Sequence, residues 1–194
     1  WRISEDFWDD WEALKEQFPL CRKWQKDICK GHWPDADMLP IGPMAQRAMR
    51  GTPRMSNFTP DEQYTMLTLW AMFRSPLMIG CNLPEIDDFT LNLITNKEVL
   101  DINQYSKGNK ELFDRNGIIA WYAQSEDELT HYIAIFNTTD KDIESYTFPL
   151  QTINYIGDGH ITDLWKNESM EIKNNSVSFS VPAHGVKLIK LCLL

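Results

Sequence analysis

The first residues of the chain place a guanidinium and a carboxylate at a spacing that suits acid chemistry. Arg2 stands four residues before Asp6. A carboxylic acid next to a leaving-group oxygen can donate a proton, and a nearby guanidinium can hold ligand hydroxyls or the carboxylate itself. Asp is also a common helix N-cap. Asp6 therefore has two interpretations, a catalytic acid and a helix cap.

A second polar segment, residues 32–39, carries Asp35 and Asp37, followed by Met38. One of these carboxylates can bind a ligand while the other braces the loop, or both can accept backbone N–H groups in a tight turn. A divalent cation would need a third ligand, which the segment does not supply. Trp33 can be a stacking platform or part of the core, and the sequence does not decide between them.

Composition and motifs exclude several classes of function. The chain has 19 Lys and Arg against 28 Asp and Glu, a net charge of −9, with no basic run, so we expect no nucleic-acid partner. No apolar stretch reaches the roughly 18 residues of a membrane span, so we expect no membrane partner. Phosphate-binding glycine loops, GxSxG and HExxH are absent.

The four cysteines argue against a zinc site, because they lack CxxC spacing and no regular Cys/His ligand pattern occurs. We expect no metal. Cys21 and Cys29 can either pair in an oxidising compartment or stay as two isolated thiols. His131, within a predicted strand, and His184, in a predicted turn, are interpreted as structural rather than catalytic.

Apolar residues up to about residue 105 recur at helical spacing. Phe7, Trp11, Leu14 and Phe18 define one face of a helix that we expect to begin at Ser4 or Asp6. Further helices are predicted over 60–74, after a capping box that starts at Thr59, and after Asp87 or Asp88 and Asn96; residues 77–80 are predicted as a short strand.

This alternation of short strands and helices is typical of βα units. A closed eightfold barrel takes about 250 residues, so the first part can supply only about three of its units. The second part is predicted as seven short strands, near 117–123, 129–137, 142–149, 160–164, 170–173, 176–181 and 185–193. We therefore predict the C-terminal portion of a (β/α)8 barrel over 1–106, followed by an antiparallel β-sandwich over 107–194.

The order of motifs resembles glycoside hydrolase family 27, which comprises α-galactosidases and α-N-acetylgalactosaminidases. The resemblance spans nearly the whole chain. The matching motifs are WRISEDFWD (1–9), WPDADMLPIG (33–42), FTPDEQ (58–63), LWA (69–71), SPLMIG (75–80), NKEVL (96–100) with INQ (102–104), and VPAHGV (181–186). Pro34 and Ala36 depart from many relatives, which carry Asn and Pro there, but both carboxylates of that segment remain.

The resemblance implies a role for each candidate residue. Asp6 matches the general acid/base of an Arg-x-x-x-Asp motif, and Arg2 matches its neighbour in the sugar pocket. Asp37 and Met38 match pocket residues that bind substrate, and Asp35 matches a brace. The family is retaining and needs neither metal nor organic cofactor. Its aspartate nucleophile lies upstream of the acid/base, so we expect it before Trp1.

The function implied is a retaining exo-glycosidase that hydrolyses terminal α-linked galactose. α-N-acetylgalactosaminidase and β-L-arabinopyranosidase activities are alternatives, and a non-catalytic carbohydrate-associated module is a further one. We expect the isolated chain to be inactive without an N-terminal barrel half. Four Asn-x-Ser/Thr matches favour a secreted, periplasmic or lysosomal protein. The sequence leaves assembly into a homo-oligomer open.

Overall fold

The computed structural model describes residues 1–46, 51–157 and 159–193 of the 194-residue chain. Its first part is built on helices. They are α1 (Trp11–Trp24), α2 (Pro60–Phe73), α3 (Asp88–Ile94) and α4 (Lys97–Tyr105), with a two-residue antiparallel pair of strands, β1 (Pro43–Met44) and β2 (Arg54–Met55). No helix among the described residues is both long and apolar enough to cross a lipid bilayer.

Three extended segments lie side by side and parallel in this first part. Arg2 bridges Asp35, and Leu39 bridges Ile79. The backbone N–H of Asp35 donates to the carbonyl of Trp1 at 2.8 Å, and that of Leu39 donates to Met78 at 2.7 Å. The strand predicted over 77–80 is reduced to a single bridge residue, Ile79, in the third of these segments. Parallel segments alternating with helices are the architecture of a barrel.

Helix α1 begins later than the sequence predicts. Its N-cap is Asp10, whose carboxylate accepts a hydrogen bond from the N–H of Ala13, so the predicted start at Ser4 or Asp6 is wrong. The reason is a tertiary contact: the N–H of Phe7 donates to Asp37, and the Phe7 ring packs against Trp70 at 5.1 Å. These contacts keep residues before Asp10 out of the helix, and the N-cap interpretation of Asp6 fails with them.

Helix α2 confirms the prediction over 60–74. Thr59 and Glu62 form the reciprocal capping box, and the helix ends at Arg74 in a left-handed conformation. Eleven of its 14 residues are buried, as expected for a helix wedged between other elements. The Arg74 side chain donates to three carbonyls at the C-terminal end of α4, those of Asn103, Gln104 and Ser106.

The second part is an antiparallel sandwich of eight strands among the described residues. They are β3 (Lys107–Arg115), β4 (Ile118–Gln124), β5 (Thr130–Asn137), β6 (Ile143–Pro149), β7 (Gly159–Asp163), β8 (Glu168–Met170), β9 (Ser176–Val181) and β10 (Val186–Leu193). A six-stranded sheet, in the order β3-β4-β5-β10-β7-β8, faces the pair β6-β9. Six of these lie where strands are predicted, and β8 overlaps the strand predicted over 170–173 only at Met170. The eighth, β3, was not predicted, because this edge strand is mostly polar and carries irregular register against β4.

Two apolar clusters hold these layers together. One fills the space between the six-stranded sheet and β6-β9 and includes Phe148, Val177 and Ile189. The other joins the helices to the opposite face of that sheet; it includes Phe18, Met66, Ile102, Trp121, Phe136 and Leu188. Because this second cluster crosses from 1–106 into 107–194, division of the chain into those two domains stays a proposal. All four cysteines are free, which answers the question left open for Cys21 and Cys29.

Candidate active site

Arg2 brings two of the predicted site carboxylates together. Its Nη2 donates to Asp6 Oδ1 at 2.9 Å and lies 3.5 Å from Asp37 Oδ2. The Asp6 side chain is 68% exposed and that of Asp37 only 16%. Asp6 is therefore the carboxylate that is open to a ligand, while Asp37 lies deeper, at the base of the cluster.

The charge of Arg2 is stabilised by these neighbours. The hydrogen bond to Asp6, opposed by partial desolvation and supported by the field of Asp37, raises the pKa of the Arg2 guanidinium above its usual value. Arg2 therefore remains a cation throughout the physiological range. A fixed positive charge between two carboxylates can orient both of them and offer N–H donors to a polyhydroxylated ligand.

Asp37 is held in place from several sides. Its Oδ2 accepts the backbone N–H of Phe7 at 2.7 Å, and its own N–H donates to Asp35 Oδ1 at 2.8 Å. Its carbonyl accepts the indole N–H of Trp70 at 2.8 Å. The backbone at Asp37 has φ of 79°, in the left-handed region that non-glycine residues seldom adopt. Asp35 thus has the geometry of the brace implied by the resemblance.

A cleft of about 480 Å³ opens beside Arg2 and Asp6. We call it the first cleft; its lining includes Arg2, Asp6 and Phe7 and, from α1, Glu16 and Gln17. The Oε1 atom of Gln17 is buried and makes no hydrogen bond within the described part of the chain.

Met38 lies apart from the first cleft. It lines a second cleft of about 360 Å³ together with Trp8 and Gly80. The structure thus groups Arg2, Asp6 and Asp37 in one cluster and places Met38 in the lining of the second cleft.

The remaining candidates have structural contacts. Trp33 lies under the Arg74 guanidinium, 4.5 Å from its ring centroid, so its face carries a cation rather than standing open. His131 shares a 2.7 Å hydrogen bond with the Tyr122 hydroxyl inside the sandwich, where burial lowers the pKa of His131 and raises that of Tyr122 to about 12.

Two positioning residues were not predicted for the site. The Trp70 indole holds the Asp37 carbonyl, and the Ser75 hydroxyl accepts the N–H of Ala36 at 3.0 Å. The sequence assigns Trp70 to the core on periodicity alone. The indole N–H, a polar donor on a side chain predicted to be buried, was the signal that pointed to a specific partner.

The fold and this cluster define the class of protein: the C-terminal part of a glycoside hydrolase barrel, followed by a β-sandwich. A model of α-galactosidase A matches residues 1–105, and a model of the α-galactosidase C-terminal β-sandwich domain matches residues 116–191. The chain belongs to this α-galactosidase family, glycoside hydrolase family 27.

Individual relatives agree with this family. A β-L-arabinopyranosidase of family 27 from Geobacillus stearothermophilus is 39% identical to this chain, at a TM-score of 0.94. The match covers all of this chain and 44% of that one. The chain is 35% identical, at a TM-score of 0.88, to a candidate α-N-acetylgalactosaminidase from Bacillus halodurans, over 98% of this chain and 46% of that one. α-Galactosidase D of Emericella nidulans is 28% identical over 98% of this chain and 28% of its own length. The chain thus spans less than half the length of each of these relatives.

Proposed function

We propose that this chain is part of a retaining exo-glycosidase that removes terminal α-linked galactose from oligosaccharides or glycoconjugates. The observation that carries the proposal is the Arg2 guanidinium in contact with an exposed carboxylate, Asp6, and a braced one, Asp37. This cluster stands beside a cleft, after the first of three parallel segments, where barrel enzymes build their active sites.

Asp6 is assigned the general acid/base role. As an acid it donates a proton to the glycosidic oxygen while an aspartate nucleophile attacks the anomeric carbon, so the aglycone leaves as an alcohol. As a carboxylate it then removes a proton from water, which releases the sugar from the enzyme. Exposure of its side chain leaves room for both the leaving group and the water.

Asp37 is assigned to substrate hydroxyls rather than to the nucleophile. One of its oxygens already accepts the Phe7 N–H and lies near the Arg2 cation, which reduces its nucleophilicity. Retention requires a nucleophile whose carboxyl lies about 5–5.5 Å from that of the acid/base. The family resemblance implies that this aspartate lies upstream of residue 1. Met38 keeps its proposed role in substrate binding, from the second cleft that it lines.

Two further sugars are second candidates. The 39% identical Geobacillus enzyme is a β-L-arabinopyranosidase, whose sugar differs from galactose only by lacking the exocyclic CH₂OH group. The Bacillus halodurans relative is described as a candidate α-N-acetylgalactosaminidase, so N-acetylgalactosamine is the other sugar. The remaining candidate concerns the isolated chain. If the nucleophile comes from another part of the protein, the isolated chain is a non-catalytic carbohydrate-associated module.

The test is a chimera that joins this chain to the preceding barrel portion of the Geobacillus relative. We expect the chimera to hydrolyse p-nitrophenyl α-galactoside, and the isolated chain to hydrolyse none. The α-N-acetylgalactosaminide and β-L-arabinopyranoside analogues, assayed in parallel, rank the three sugars. Asp6→Asn should lower kcat by about 10²–10⁴-fold, because the amide cannot take a proton from the attacking water in the second step.

Asp10→Asn is the matched control for this variant. It removes an exposed carboxylate four residues away, and Asn remains a good N-cap for α1, so both fold and activity should persist. A folded chimera that is silent on all three sugars, or an Asp6→Asn chimera as active as Asp10→Asn, would overturn the proposal.

The cellular location of the protein is part of the same proposal. A secreted, periplasmic or lysosomal site suits an enzyme acting on glycoconjugates, and three of the four glycosylation matches have an exposed Asn: Asn57, Asn167 and Asn174. The fourth, Asn137, is fully buried, and its amide donates to the carbonyls of Lys141 and Pro182. Asn137 is therefore no glycan acceptor in the folded chain.

A further inference from the structure

A buried ion pair lies three residues along the chain from Asp6, and the mechanism proposed above does not use it. The Asp9 side chain is only 3% exposed, and the Arg54 guanidinium donates to both of its carboxylate oxygens, with 2.9 Å between Arg54 Nη2 and Asp9 Oδ1. The same carboxylate accepts the backbone N–H of Asn57 at 2.7 Å. Burial alone raises the pKa of Asp9, but these hydrogen bonds outweigh it, and the pKa lies below its usual value. Asp9 is therefore an anion at neutral pH.

The pair joins two loops of the helical part. Asp9 lies between the first parallel segment and α1, whereas Arg54, in β2, and Asn57 lie between the second parallel segment and α2. The first segment carries Arg2, and the second carries Asp37. In barrel enzymes the loops that follow the strands form the active site. The ion pair therefore fixes how the two loops that border the candidate active site sit relative to each other.

Geometry, rather than stability, distinguishes this contact from an apolar one. Removing a carboxylate and a guanidinium from water costs hydration energy, so apolar side chains of similar volume often stabilise a fold as well or better. A guanidinium fork that meets both carboxylate oxygens, however, fixes the distance and the angle between its partners. The Asp9–Arg54 pair thus suits a place where two loops must keep one arrangement.

The backbone next to Asp6 is held on its C-terminal side by this pair and by Phe7. The Phe7 N–H donates to Asp37 Oδ2 at 2.7 Å, and the Phe7 ring stacks on Phe58, with 6.0 Å between the ring centroids. The Asp6 side chain, in contrast, is 68% exposed and is held, within the described part of the chain, by Arg2. Because this side chain is exposed, the place of its carboxyl group depends on where the anchored backbone puts the Asp6 Cα atom.

We propose that Asp9 and Arg54 are positioning residues for the proton transfer: their ion pair holds the loop that carries Asp6 where its carboxyl group reaches the glycosidic oxygen. This inference rests on the proposed function, since it takes Asp6 as the acid. A proton donor works only within hydrogen-bond reach of its acceptor, about 2.6–3.2 Å, and a misplacement of about 1 Å can cost about 10²-fold in rate. A Lys ammonium in place of the guanidinium keeps the charge but not the fork, so it loosens the loop.

The test compares two galactosides whose leaving groups need the acid to different extents. Phenolate is a basic leaving group that must be protonated, whereas 2,4-dinitrophenolate departs without a proton, and both carry an aromatic ring. In the active chimera we expect Arg54→Lys to lower kcat/KM for phenyl α-galactoside about tenfold and to leave 2,4-dinitrophenyl α-galactoside within about twofold. Asp9→Asn, which removes the charge but can still accept the Asn57 N–H, should give the same selective loss.

A double variant shows whether Arg54 acts through Asp6. Asp6→Asn removes the acid itself, so it should lower kcat/KM for the phenyl galactoside selectively, and by more than either variant of the pair. Arg54→Lys added to Asp6→Asn should then have no further selective effect, because no proton donor is left to be misplaced.

Arg22→Lys and Asp10→Asn are the matched controls. Arg22, in the last turn of α1, donates to Glu111 at 3.1 Å and to Asp114 at 3.0 Å, so its replacement changes an ion pair of the same kind at the other end of that helix. Asp10→Asn removes the next carboxylate along the chain and keeps a good N-cap for α1. Neither variant should separate the two galactosides.

The failures are distinguishable. Equal losses on the two galactosides in Arg54→Lys and Asp9→Asn would show that the pair only supports the fold, and would overturn the positioning role, as would no loss on either. A selective loss by Arg54→Lys that persists beside Asp6→Asn would overturn it too, because the pair would then act through another group. Inactivity of the unsubstituted chimera, or an Asp6→Asn variant that does not separate the two galactosides, would instead overturn the proposed function.

Discussion

At the scale of single residues, the site is organised by one cation. The same Arg2 nitrogen lies 2.9 Å from Asp6 and 3.5 Å from Asp37, yet only Asp6 is largely exposed. Identical side chains thus have different surroundings. Asp37 accepts a backbone N–H and is fixed, whereas Asp6, held within the described part of the chain by Arg2, stays exposed. This difference supports the proposal that Asp6 transfers the proton.

A chemical rescue experiment tests that assignment directly. In the active chimera we expect Asp6→Ala to lose aryl galactoside hydrolysis by about 10²-fold or more, because the second step lacks its base. Added azide needs no base, so it should restore turnover and yield galactosyl azide with the α configuration, which product analysis by NMR would identify.

Arg2→Ala serves as the comparison for rescue. It removes a group that orients the carboxylates and transfers no proton, so azide should not restore its activity. Failure of azide to rescue a folded Asp6→Ala chimera, or rescue of both variants alike, would contradict the role of Asp6 as acid/base.

At the scale of elements, the N-terminus of α2 is one place where the helices contact the sandwich. Glu62, which closes the capping box with Thr59, also bonds His184 Nδ1 at 2.7 Å through its other oxygen. His184 Nε2 bonds Asp140 at 2.9 Å, and the imidazole stacks on Trp11 of α1 at 4.0 Å. These contacts agree with the interpretation of His184 as a structural residue, because its imidazole joins α1, α2 and the β9–β10 turn.

This connection should depend on pH. Burial alone lowers the pKa of His184, but the hydrogen bonds to Asp140 and Glu62 outweigh it, so the pKa is raised above its ordinary value of 6.5. A raised folded-state pKa gives stability that is full below the ordinary value and is lost as pH rises through the raised one. The charged groups involved are Glu62 and Asp140, with Lys15 near Asp140.

We expect His184→Gln to lower the free energy of unfolding of the chain by about 1–2 kcal/mol near pH 6, and by less near pH 9. Urea denaturation at a series of pH values measures this difference. His32→Gln, at an exposed histidine, is the control and should show no such pH-dependent loss. A His184→Gln penalty that grows with pH would contradict the assigned direction.

At the scale of the whole molecule, the helical part and the sandwich share a core. Phe18 of α1 meets Phe136 of β5 edge to face at 5.0 Å, and the indole N–H of Trp165 donates to Thr68 of α2 at 2.9 Å. Near this contact the buried pair Lys187–Asp163, 2.6 Å apart, holds the turn that carries Trp165, since Asp163 also accepts the Trp165 N–H. Neither part buries its apolar surface alone.

A shared core predicts one cooperative unfolding transition rather than two. Urea transitions of the chain followed by tryptophan fluorescence and by far-ultraviolet circular dichroism should coincide. Phe136→Ala should shift both together by about 3–5 kcal/mol, because it opens a cavity in the common cluster. Two separated transitions, or a shift confined to one probe, would show that the parts unfold independently.

The sequence alone determined the local features of this protein. The capping box at Thr59, the buried helix α2, six of the eight strands of the described sandwich and the family resemblance all follow from residue type and short-range spacing. Caps, turns and periodicity depend on near neighbours. The polar edge strand β3 escaped prediction, since pairing with β4 rather than its own pattern makes it a strand.

Only the tertiary structure decided how the candidate site is arranged. The late start of α1, the bracing of Asp37 by Phe7 and Trp70, and the placement of Met38 in a separate cleft all depend on contacts between residues about 30 positions or more apart. Spacing along the chain brought Arg2 and Asp6 together. The folding of distant segments against them fixed the Asp37 carboxylate and left that of Asp6 exposed. Burial and backbone hydrogen bonds are properties of the folded chain, so spacing alone does not reveal them.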